Sequence, residues 1–565
     1  MFIRKKQLYG EKIAVQICEG HRENGRVKQR VLKHVGTVAQ QEHEALEQLM
    51  QASLFLKTEL EQERSSRMLE IAPDLPFSNP SQQTEPHFPI NEEQKEEPIW
   101  IDASQLSEES RIVEGIHAIF GSAFDKLGLW GVLGIKQHEL LRQMIMARIA
   151  WPSSKLRASE NLLKHFDVDL SVDRMYRCMD TLEDKEILVQ KTVLNAFRPL
   201  IGEKVEVLFF DVTTLYFESA SEDDLRRFGF SKDQKTHMTQ LVLALATTQE
   251  GLPVGYKLFP GNTAETSTLI QAVNDWKEVF DIANITIIAD RAMMSDKNML
   301  LLEQSGMRYV IAAKLKLLPK RLQESILSRE NEQTIYRTEE DVVTVQEHLY
   351  EKRRLIVSHS TKRAHKDARD REQILNKLKK TIRKESSTKK LVTNRGYLSV
   401  ITESGSSTIK IDENKVAAAI RWDGLHGVLT NIPNISHQEI LGLYKRLWVI
   451  EESFRINKHT LEMRPVYHHA SRRIKAHILL CYITFAVCRY VQKRIAMQYE
   501  NLSIDRIRNI LIDVQYSVLR DGKTESKYCL PSKMSMEARQ IYSVFSLKRD
   551  KRLTKMLCLN KKMEY

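Results

Sequence analysis

The sequence lacks the features that mark secreted, zinc-bound or membrane-embedded chains. It has six cysteines in 565 residues, and none of them forms a Cys-x-x-Cys pair. This pattern argues against a zinc site and a disulfide framework, and it predicts reduced thiols in the cytoplasm. The start, MFIRKKQLYGEK, has no apolar segment of a secretory signal. No apolar run reaches about 18 residues, so the longest one, 478–487, predicts a buried helix and no membrane contact.

Acidic residues are outnumbered. There are 74 Asp and Glu against 86 Lys and Arg, which gives a formal charge of +12. This excess favours a polyanionic partner such as nucleic acid, although a basic enzyme without such a partner has the same balance. A hydrophobic share of 42% is enough for several cores, so we expect about 3 to 4 domains.

Proline is sparse except in one stretch. Six of the 14 prolines lie between residues 72 and 98 together with Ser, Gln and Glu, which predicts a flexible linker over 71–99. The linker separates an N-terminal module, 1–70, from a helical region, 100–203. Within the module, alternating apolar residues around Asn24-Gly25 predict a β-hairpin, and a polar helix is expected over 40–69.

Basic side chains in both regions suggest DNA-binding surfaces. Lys28 and Arg30 stand between the apolar positions of the second hairpin strand, where they are placed to contact a phosphate backbone; a solvated edge of the hairpin is an equal alternative. The region 100–203 carries the basic residues Arg142, Arg148, Lys155, Arg157, Lys164 and Arg174. It is predicted to bind DNA ends, and a helical packing module without a ligand is the alternative.

From residue 205 the sequence alternates between apolar strands and helices. Strands are expected at 205–211, 238–246, 254–259, 285–290 and 308–313, with helices at 265–280 and 296–304. Three strands, a helix, a strand, a helix and a strand form the order of an α/β, ribonuclease-H-like fold. We expect this core in two parts, 204–314 and 436–500, interrupted by a β-rich insertion domain over 315–435 and followed by a basic C-terminal region over 501–565.

Three carboxylates in this order suggest a metal site. Asp211 and Asp290 end apolar strands at the edge where open sheets bind ligands, and Glu451 lies in a helix expected over 437–457. On one face of that helix the spacing places Tyr444, Leu447, Trp448, Glu451, Phe454, Arg455 and Lys458. A carboxylate in such a stripe is costly unless a cation compensates it. The three acids together are suited to hold two Mg²⁺ ions, although each Asp alone also fits an ordinary strand end.

Four segments resemble the DDE transposases of bacterial insertion sequences. They are LFFDVTTLYFE, GLPVGYKLFPGNTAETSTL, IIADRAMMS and YKRLWVIEESFRINKHTLEMRPVYHH. The last is similar to the branch whose third-acid helix carries a Tyr, Arg, Glu, Lys pattern, and the resemblance covers about 206–490. It implies that Asp211, Asp290 and Glu451 are the catalytic triad and that Tyr444 and Lys458 contact DNA near the cleaved end. It also implies that the insertion domain helps to handle the DNA end.

One position departs from this pattern. The Arg expected three residues after Tyr444 is Leu447, and Arg446 lies about 100° away around the helix. Arg455, one turn after Glu451, is the candidate to supply the missing phosphate contact.

The resemblance implies a cut-and-paste transposase with Mg²⁺ as cofactor, for which Mn²⁺ is a possible substitute. Its partners would be the inverted-repeat ends of its own element and target DNA, which it would bind as a homodimer in the cytoplasm, at the nucleoid. Two alternatives stand beside it: another ribonuclease-H-like nuclease or recombinase, and a domesticated DNA-binding protein without catalysis.

Overall fold

The computed structural model divides the chain into two compact units, Met1–Trp100 and Ile101–Tyr565. The described residues are 2–8, 12–23, 26–39, 101–201, 206–217, 221–229, 237–280, 285–291, 295–384, 398–403, 406–464 and 466–556. The polar helix expected over 40–69 and the linker expected over 71–99 lie outside the described residues.

The first unit contains a three-stranded antiparallel sheet of β1 (Phe2–Leu8), β2 (Lys12–Glu23) and β3 (Arg26–Ala39). Glu23 pairs with Arg26, which confirms the hairpin predicted around Asn24-Gly25. Two residues separate the paired ends, the loop length that Asn-Gly favours. Strand β1 pairs with the other edge of β2 and was not predicted.

The described strands of the second unit form three sheets. In chain order they are β4 (Leu106–Val113), β5 (Val207–Tyr216), β6 (Gln240–Thr247), β7 (Pro253–Pro260), β8 (Thr286–Ala289), β9 (Arg308–Ala312), β10 (Gln333–Arg337), β11 (Val342–Tyr350), β12 (Arg353–Ser360), β13 (Leu398–Glu403), β14 (Ser406–Ile411), β15 (Leu425–Thr430), β16 (Gln515–Asp521), β17 (Lys527–Pro531) and β18 (Thr554–Lys555). The largest sheet has nine strands in the order β10-β11-β12-β15-β9-β8-β5-β6-β7.

The described helices of this unit follow in chain order. They are α1 (Ser122–Lys126), α2 (Trp130–Leu133), α3 (Ile135–Ala150), α4 (Lys155–Phe166), α5 (Val172–Asp180), α6 (Glu186–Ile201), α7 (Glu265–Phe280), α8 (Asp296–Gln304), α9 (Lys320–Ser328), α10 (Thr361–Lys384), α11 (Glu413–Ile420), α12 (His437–Lys445), α13 (Trp448–Arg455), α14 (Ser471–Ala496), α15 (Ile504–Ile512) and α16 (Met536–Val544). Shorter turns are the 3₁₀ segments Ala103–Gln105, Glu183–Lys185 and Leu315–Leu317 and the π segments His117–Gly121 and Ile456–Thr460.

Strands β5 to β9 form the predicted ribonuclease-H-like core. Strands β5, β6 and β7 pair antiparallel, whereas β8 and then β9 add to the other side of β5 in parallel. Helix α7 precedes β8, and helix α8 connects β8 to β9. Parallel neighbouring strands need such long crossover connections. All eight residues of β6 are buried, which explains its apolar run from Leu241 to Ala246.

The pleat of β5 sends alternate side chains into two separate cores. Phe209 and Leu215 belong to a core shared with α12, α13 and α14. Phe210 and Val212 belong to a second core, which α7 and α8 cover on the opposite face. The helices that carry and support the third acid therefore cover one specific face of the sheet.

The predicted insertion extends the core sheet. Strands β10, β11, β12 and β15 continue the sheet beyond β9, and β15 pairs antiparallel with β9 directly. Strands β13 and β14 form a separate two-stranded sheet. The sequence predicted a β-rich insertion, but it did not indicate that strands of this insertion would share a sheet with the core.

The expected helical region contains a strand near its start. Strand β4 pairs with β16, so residues near the start of this region share a four-stranded sheet with the C-terminal region. Helices α3 and α5 pack against α14. The boundaries predicted inside Ile101–Tyr565 remain predictions, because the unit is compact as a whole.

Helix α14 is the buried helix predicted around 478–487. It is long and apolar enough for a membrane span by length and composition, and 94% of its apolar window is buried inside the unit. Such burial is typical of a core helix.

Candidate active site

Asp211 lies within strand β5, which corrects the expectation that this strand ends on it. The strand continues to Tyr216 because Val212, Thr213 and Thr214 are β-branched and pair with β6. On its other side β5 pairs with β8 only as far as Phe210, which lies opposite Ala289. The half-buried Asp211 thus stands where the gap beside β5 opens. Its Oδ1 accepts a hydrogen bond from the amide of Val212 at 2.8 Å.

Asp290 directly follows strand β8, as predicted. Because Phe210 and Ala289 are opposite each other in parallel strands, Asp211 and Asp290 occupy the next matched position. Asp290 Oδ1 accepts from the amide of Arg291 at 2.7 Å, the same local arrangement as at Asp211. Alternation places Asp211 on the face of Phe209 and Asp290 on the face of Ile288, and both of those residues belong to the core beneath α13.

The helix expected over 437–457 is broken. Helix α12 ends at Lys445, α13 begins at Trp448, and the π segment Ile456–Thr460 follows. The prediction that seven residues from Tyr444 to Lys458 share one helical face is therefore wrong in part, because Leu447 is buried whereas Trp448 is 56% exposed. The break lets α12 pack against β9 while α13 packs against β5 and β6.

Glu451 is exposed on α13, and its neighbour explains why. Glu452 faces the core helix α14, where the buried Arg489 lies 3.5 Å from its Oε2. Successive helical residues are about 100° apart, so Glu451 is turned away from that contact. Arg489 also donates to the carbonyl oxygens of Glu250 and Gly251, which fixes α13 against the β6–β7 turn.

Tyr444 lies near the second and third acids, Asp290 and Glu451. Burial raises the pKa of its phenol, and the negative charges of Asp290 and Glu451 raise it further, while Arg363 and Arg291 oppose them. The phenol is thus close enough to both acids to respond to their charge. Its ring lies 4.8 Å from that of His426, between centroids.

The basic residues of this segment differ in their contacts. Arg455 is exposed and its Nη2 lies 3.6 Å from Glu452 Oε1. Arg446 donates to Gln249 Oε1 at 2.6 Å, so it is directed to the β6–β7 turn. Lys458 lies in the π segment with its ammonium 5.7 Å from the ring centroid of Phe454.

Lys28 and Arg30 belong to the first unit. They lie on β3 opposite His21 and Glu19 of β2, and the two-residue spacing places both on one face of the hairpin.

A cleft of about 850 Å³ extends from Asp290 and Tyr444 into the insertion. Its walls include Arg291, Lys314, Arg363, Asp367, Arg371, Trp422, Asp423 and His426. Helix α10 is fixed to the β15 side of this cleft, because Asp367 accepts from the amide of Gly424 at 3.0 Å and Arg371 pairs with Asp423. The sequence alone does not single out Arg363 and Arg371, because helix α10 carries many charged residues, a pattern typical of a solvated helix.

The donor chemistry of the three acids fits a hard divalent cation, since carboxylate oxygens are the ligands that Mg²⁺ prefers. Among the described residues, no group of three Asp, Glu, His or Cys side chains converges closely enough to hold an ion. Asp211 and Asp290 lie on one face of the sheet, and the helix of Glu451 covers that face. The three acids therefore fit a metal ion by the type of their donor atoms.

Two family models match the chain. The model described as transposase DDE domain matches residues 203–486, and the model described as IS1634 family transposase, N-terminal domain, matches residues 3–63. A search of curated proteins finds no match.

Two solved transposase complexes are weakly similar. A piggyBac transposase synaptic complex with hairpin DNA is 8% identical, with 70% of this chain and 76% of that chain covered and a TM-score of 0.35. A Mos1 transposase paired-end complex with the left transposon end is 10% identical, with 28% and 53% covered and a TM-score of 0.14.

Both TM-scores are low, so the family rests on the sequence models. The first of these spans 203–486, which is half of the 565 residues and contains all three acids. Enzymes of this class act on DNA and generally use divalent metal ions. The chain therefore belongs to the DDE transposases of insertion sequences, which cleave DNA and transfer its strands.

Proposed function

We propose that this transposase works by a cut-and-paste reaction in which Asp211, Asp290 and Glu451 are the catalytic triad. It binds the inverted-repeat ends of its own element as a homodimer, hydrolyses a strand at each end and joins the freed 3′-hydroxyls to target DNA. The observation that supports this best is the common sheet face. Asp211 and Asp290 follow the matched residues Phe210 and Ala289, and the helix of Glu451 covers that face.

The three carboxylates are the proposed ligands of two Mg²⁺ ions, for which Mn²⁺ can substitute. When bound, such ions activate the attacking oxygen and stabilise the leaving oxygen of a phosphodiester. The protein's own part is to hold the DNA strand in line with the acids.

Tyr444, Arg455 and Lys458 are the proposed DNA contacts beside the triad. The raised pKa of Tyr444 keeps its phenol protonated, so it is able to donate a hydrogen bond to a phosphate oxygen near Asp290. Arg455 and Lys458 add positive charge on the segment after Glu451. These cations are suited to contact the phosphates of a bound DNA strand, which carries one phosphate per nucleotide.

DNA ends are proposed to bind through surfaces outside the core. Lys28 and Arg30 occupy alternate positions of strand β3 in the N-terminal hairpin, and the region 100–203 adds basic helices. The insertion, 315–435, is proposed to handle the DNA end through the cleft that begins at Asp290. We place the protein in the cytoplasm, at the nucleoid.

The deciding experiment uses the element's own ends. Labelled duplexes that carry the inverted repeat are incubated with the full chain and Mg²⁺, and nicked, excised and joined products are separated. We expect cleavage at the repeat boundary followed by joining to a target plasmid. Cleavage without any joining would favour a nuclease, and binding without cleavage would favour a DNA-binding protein.

A further inference from the structure

A small cavity lined by cationic side chains lies at the start of helix α4. Arg148, Ser153 and Lys155 line a small cavity of about 10 Å³, together with Met144, Ala158 and Met175. Such a volume holds one water-sized atom. Arg148 is 6% exposed and Lys155 is 8% exposed, so two cationic side chains are buried at one cavity.

Lys155 has no partner among the described residues. No described oxygen accepts a hydrogen bond from its ammonium. Among the described residues, the ionisable groups whose charge shifts the pKa of Lys155 are Arg148 and Cys481, and neither is a carboxylate. Burial, followed by the charge of Arg148, lowers the pKa of Lys155 to about 7. An unpaired buried ammonium is costly, and an anion is what would compensate it.

The other titratable groups around the cavity supply no negative charge. His468 and His477 respond to both Arg148 and Lys155, and burial lowers the pKa of both imidazoles, so they are neutral near pH 7. Burial raises the pKa of the Cys481 thiol, which therefore stays protonated. The acid Asp180 is held by Arg472 and Arg473.

The backbone adds to this positive potential. Helix α4 has 12 residues and begins at Lys155, and its cap Ser154 accepts from the amide of Arg157 at 3.3 Å. The N-terminus of a helix of this length attracts anions. Ser153 is partly exposed, so the cavity lies close to the surface at this helix start.

The site is linked to the catalytic segment through Arg148. Its Nη1 donates to the carbonyl oxygens of Leu461 at 2.7 Å and Glu462 at 3.3 Å. These residues follow the π segment that carries Lys458, and Glu462 has a left-handed φ of 46°, which is strained for a residue with a side chain.

We propose that Arg148, Ser153 and Lys155 bind a phosphate group, with one oxygen in the cavity beside the Lys155 ammonium. The phosphate comes either from a DNA backbone or from free phosphate, and the first source rests on the proposed function. Because Arg148 also holds residues 461–462, occupation of this site stabilises the segment that follows Glu451.

The test titrates the full chain with inorganic phosphate at constant ionic strength and pH 8, by calorimetry in two buffers of different ionisation enthalpy. At that pH Lys155 is mostly neutral, so phosphate binding should take up a proton. We expect Lys155→Met to weaken phosphate binding by at least about tenfold, the usual effect of losing a hydrogen bond to a charged group, and to abolish proton uptake. The matched control is Lys475→Met, which removes an exposed ammonium from helix α14 and should bind phosphate like the wild type.

Equal phosphate binding by the wild type and Lys155→Met would overturn the proposal, as would absence of binding by the wild type. Ser153→Ala gives a milder second variant, with weakened binding expected and a folded chain confirmed by circular dichroism. Displacement of phosphate by duplex DNA identifies the backbone as the source, and binding that DNA leaves unaffected identifies free phosphate. Because Asp211→Asn should bind phosphate normally, failure of this site is distinguishable from failure of the catalytic proposal.

Discussion

Phe210 and Ala289 lie opposite each other in the parallel strands β5 and β8, and each is followed by a carboxylate, Asp211 and Asp290. The pairing brings two residues that are 79 positions apart in sequence to matched positions on one sheet face. The following predictions begin from this pair.

Asp211→Asn, Asp290→Asn and Glu451→Gln should each reduce Mg²⁺-dependent cleavage below detection while end binding stays nearly intact. The acids are proposed to hold the metal, whereas basic surfaces hold the DNA. Cleavage of labelled ends and gel-shift binding should be measured on the same preparations. Asp275→Asn, which removes an exposed carboxylate paired with Lys257, is the control. Substantial cleavage by any one of the three would remove that residue from the triad.

Tyr444→Phe should slow single-turnover cleavage by an amount equivalent to about 0.5–1.5 kcal/mol, the usual net value of one hydrogen bond. Because the pKa of Tyr444 is raised, its phenol does not ionise near neutral pH, and the variant should keep the pH profile of the wild type. The measurement is the cleavage rate from pH 6 to pH 9. A change in profile shape would mean that the phenol titrates during the reaction.

Arg455→Ala should impair end processing more than Arg446→Ala. Arg455 is exposed one turn after Glu451, whereas Arg446 is directed to Gln249. The expected loss for Arg455→Ala is about 1.5–3 kcal/mol, the range for a hydrogen bond to a charged group. Single-turnover cleavage with both variants confirmed folded decides it. Greater damage in Arg446→Ala would place the phosphate contact at the β6–β7 turn.

Lys28→Ala and Arg30→Ala should each weaken binding of the full chain to DNA ends and lower the salt dependence of log K by about one unit. The cleavage rate of bound complexes should not change. Full-length variants are needed because β4 pairs with β16, so a fragment that ends near residue 203 would lose a strand partner. Unchanged salt dependence in both variants would indicate a solvated hairpin edge.

His117 should make the second unit less stable in acid. Burial, followed by the charge of Arg142, lowers its pKa to about 4, so the folded state keeps it neutral. The unfolded chain takes up this proton below about pH 6.5, and stability is therefore lost as pH falls from about 6.5 to 4, by at most about 1.4 kcal/mol per pH unit. Thermal unfolding of the wild type and His117→Gln at pH 7 and pH 5 tests this. An equal drop in both proteins would contradict it.

Local patterns predicted most of the core elements. Helices α7 and α8 have the predicted bounds, and β9 differs from its predicted range by one residue at one end. These segments have strong periodicity and clear turn residues at their ends, which are local signals. Long-range pairings gave no such signal. The union of β4 with β16 joins residues about 400 positions apart, and nothing in either segment specifies the partner.

The sequence by itself determined the family and the order of strands and helices along the core, because these depend on residue type and local periodicity, and it proposed the three acids. Tertiary structure decided the rest of the candidate site. It placed Asp211 inside a strand, because the strand keeps pairing with β6 after β8 has ended. It also broke the third-acid helix between Lys445 and Trp448, so that α12 packs on β9 while α13 packs on β5 and β6.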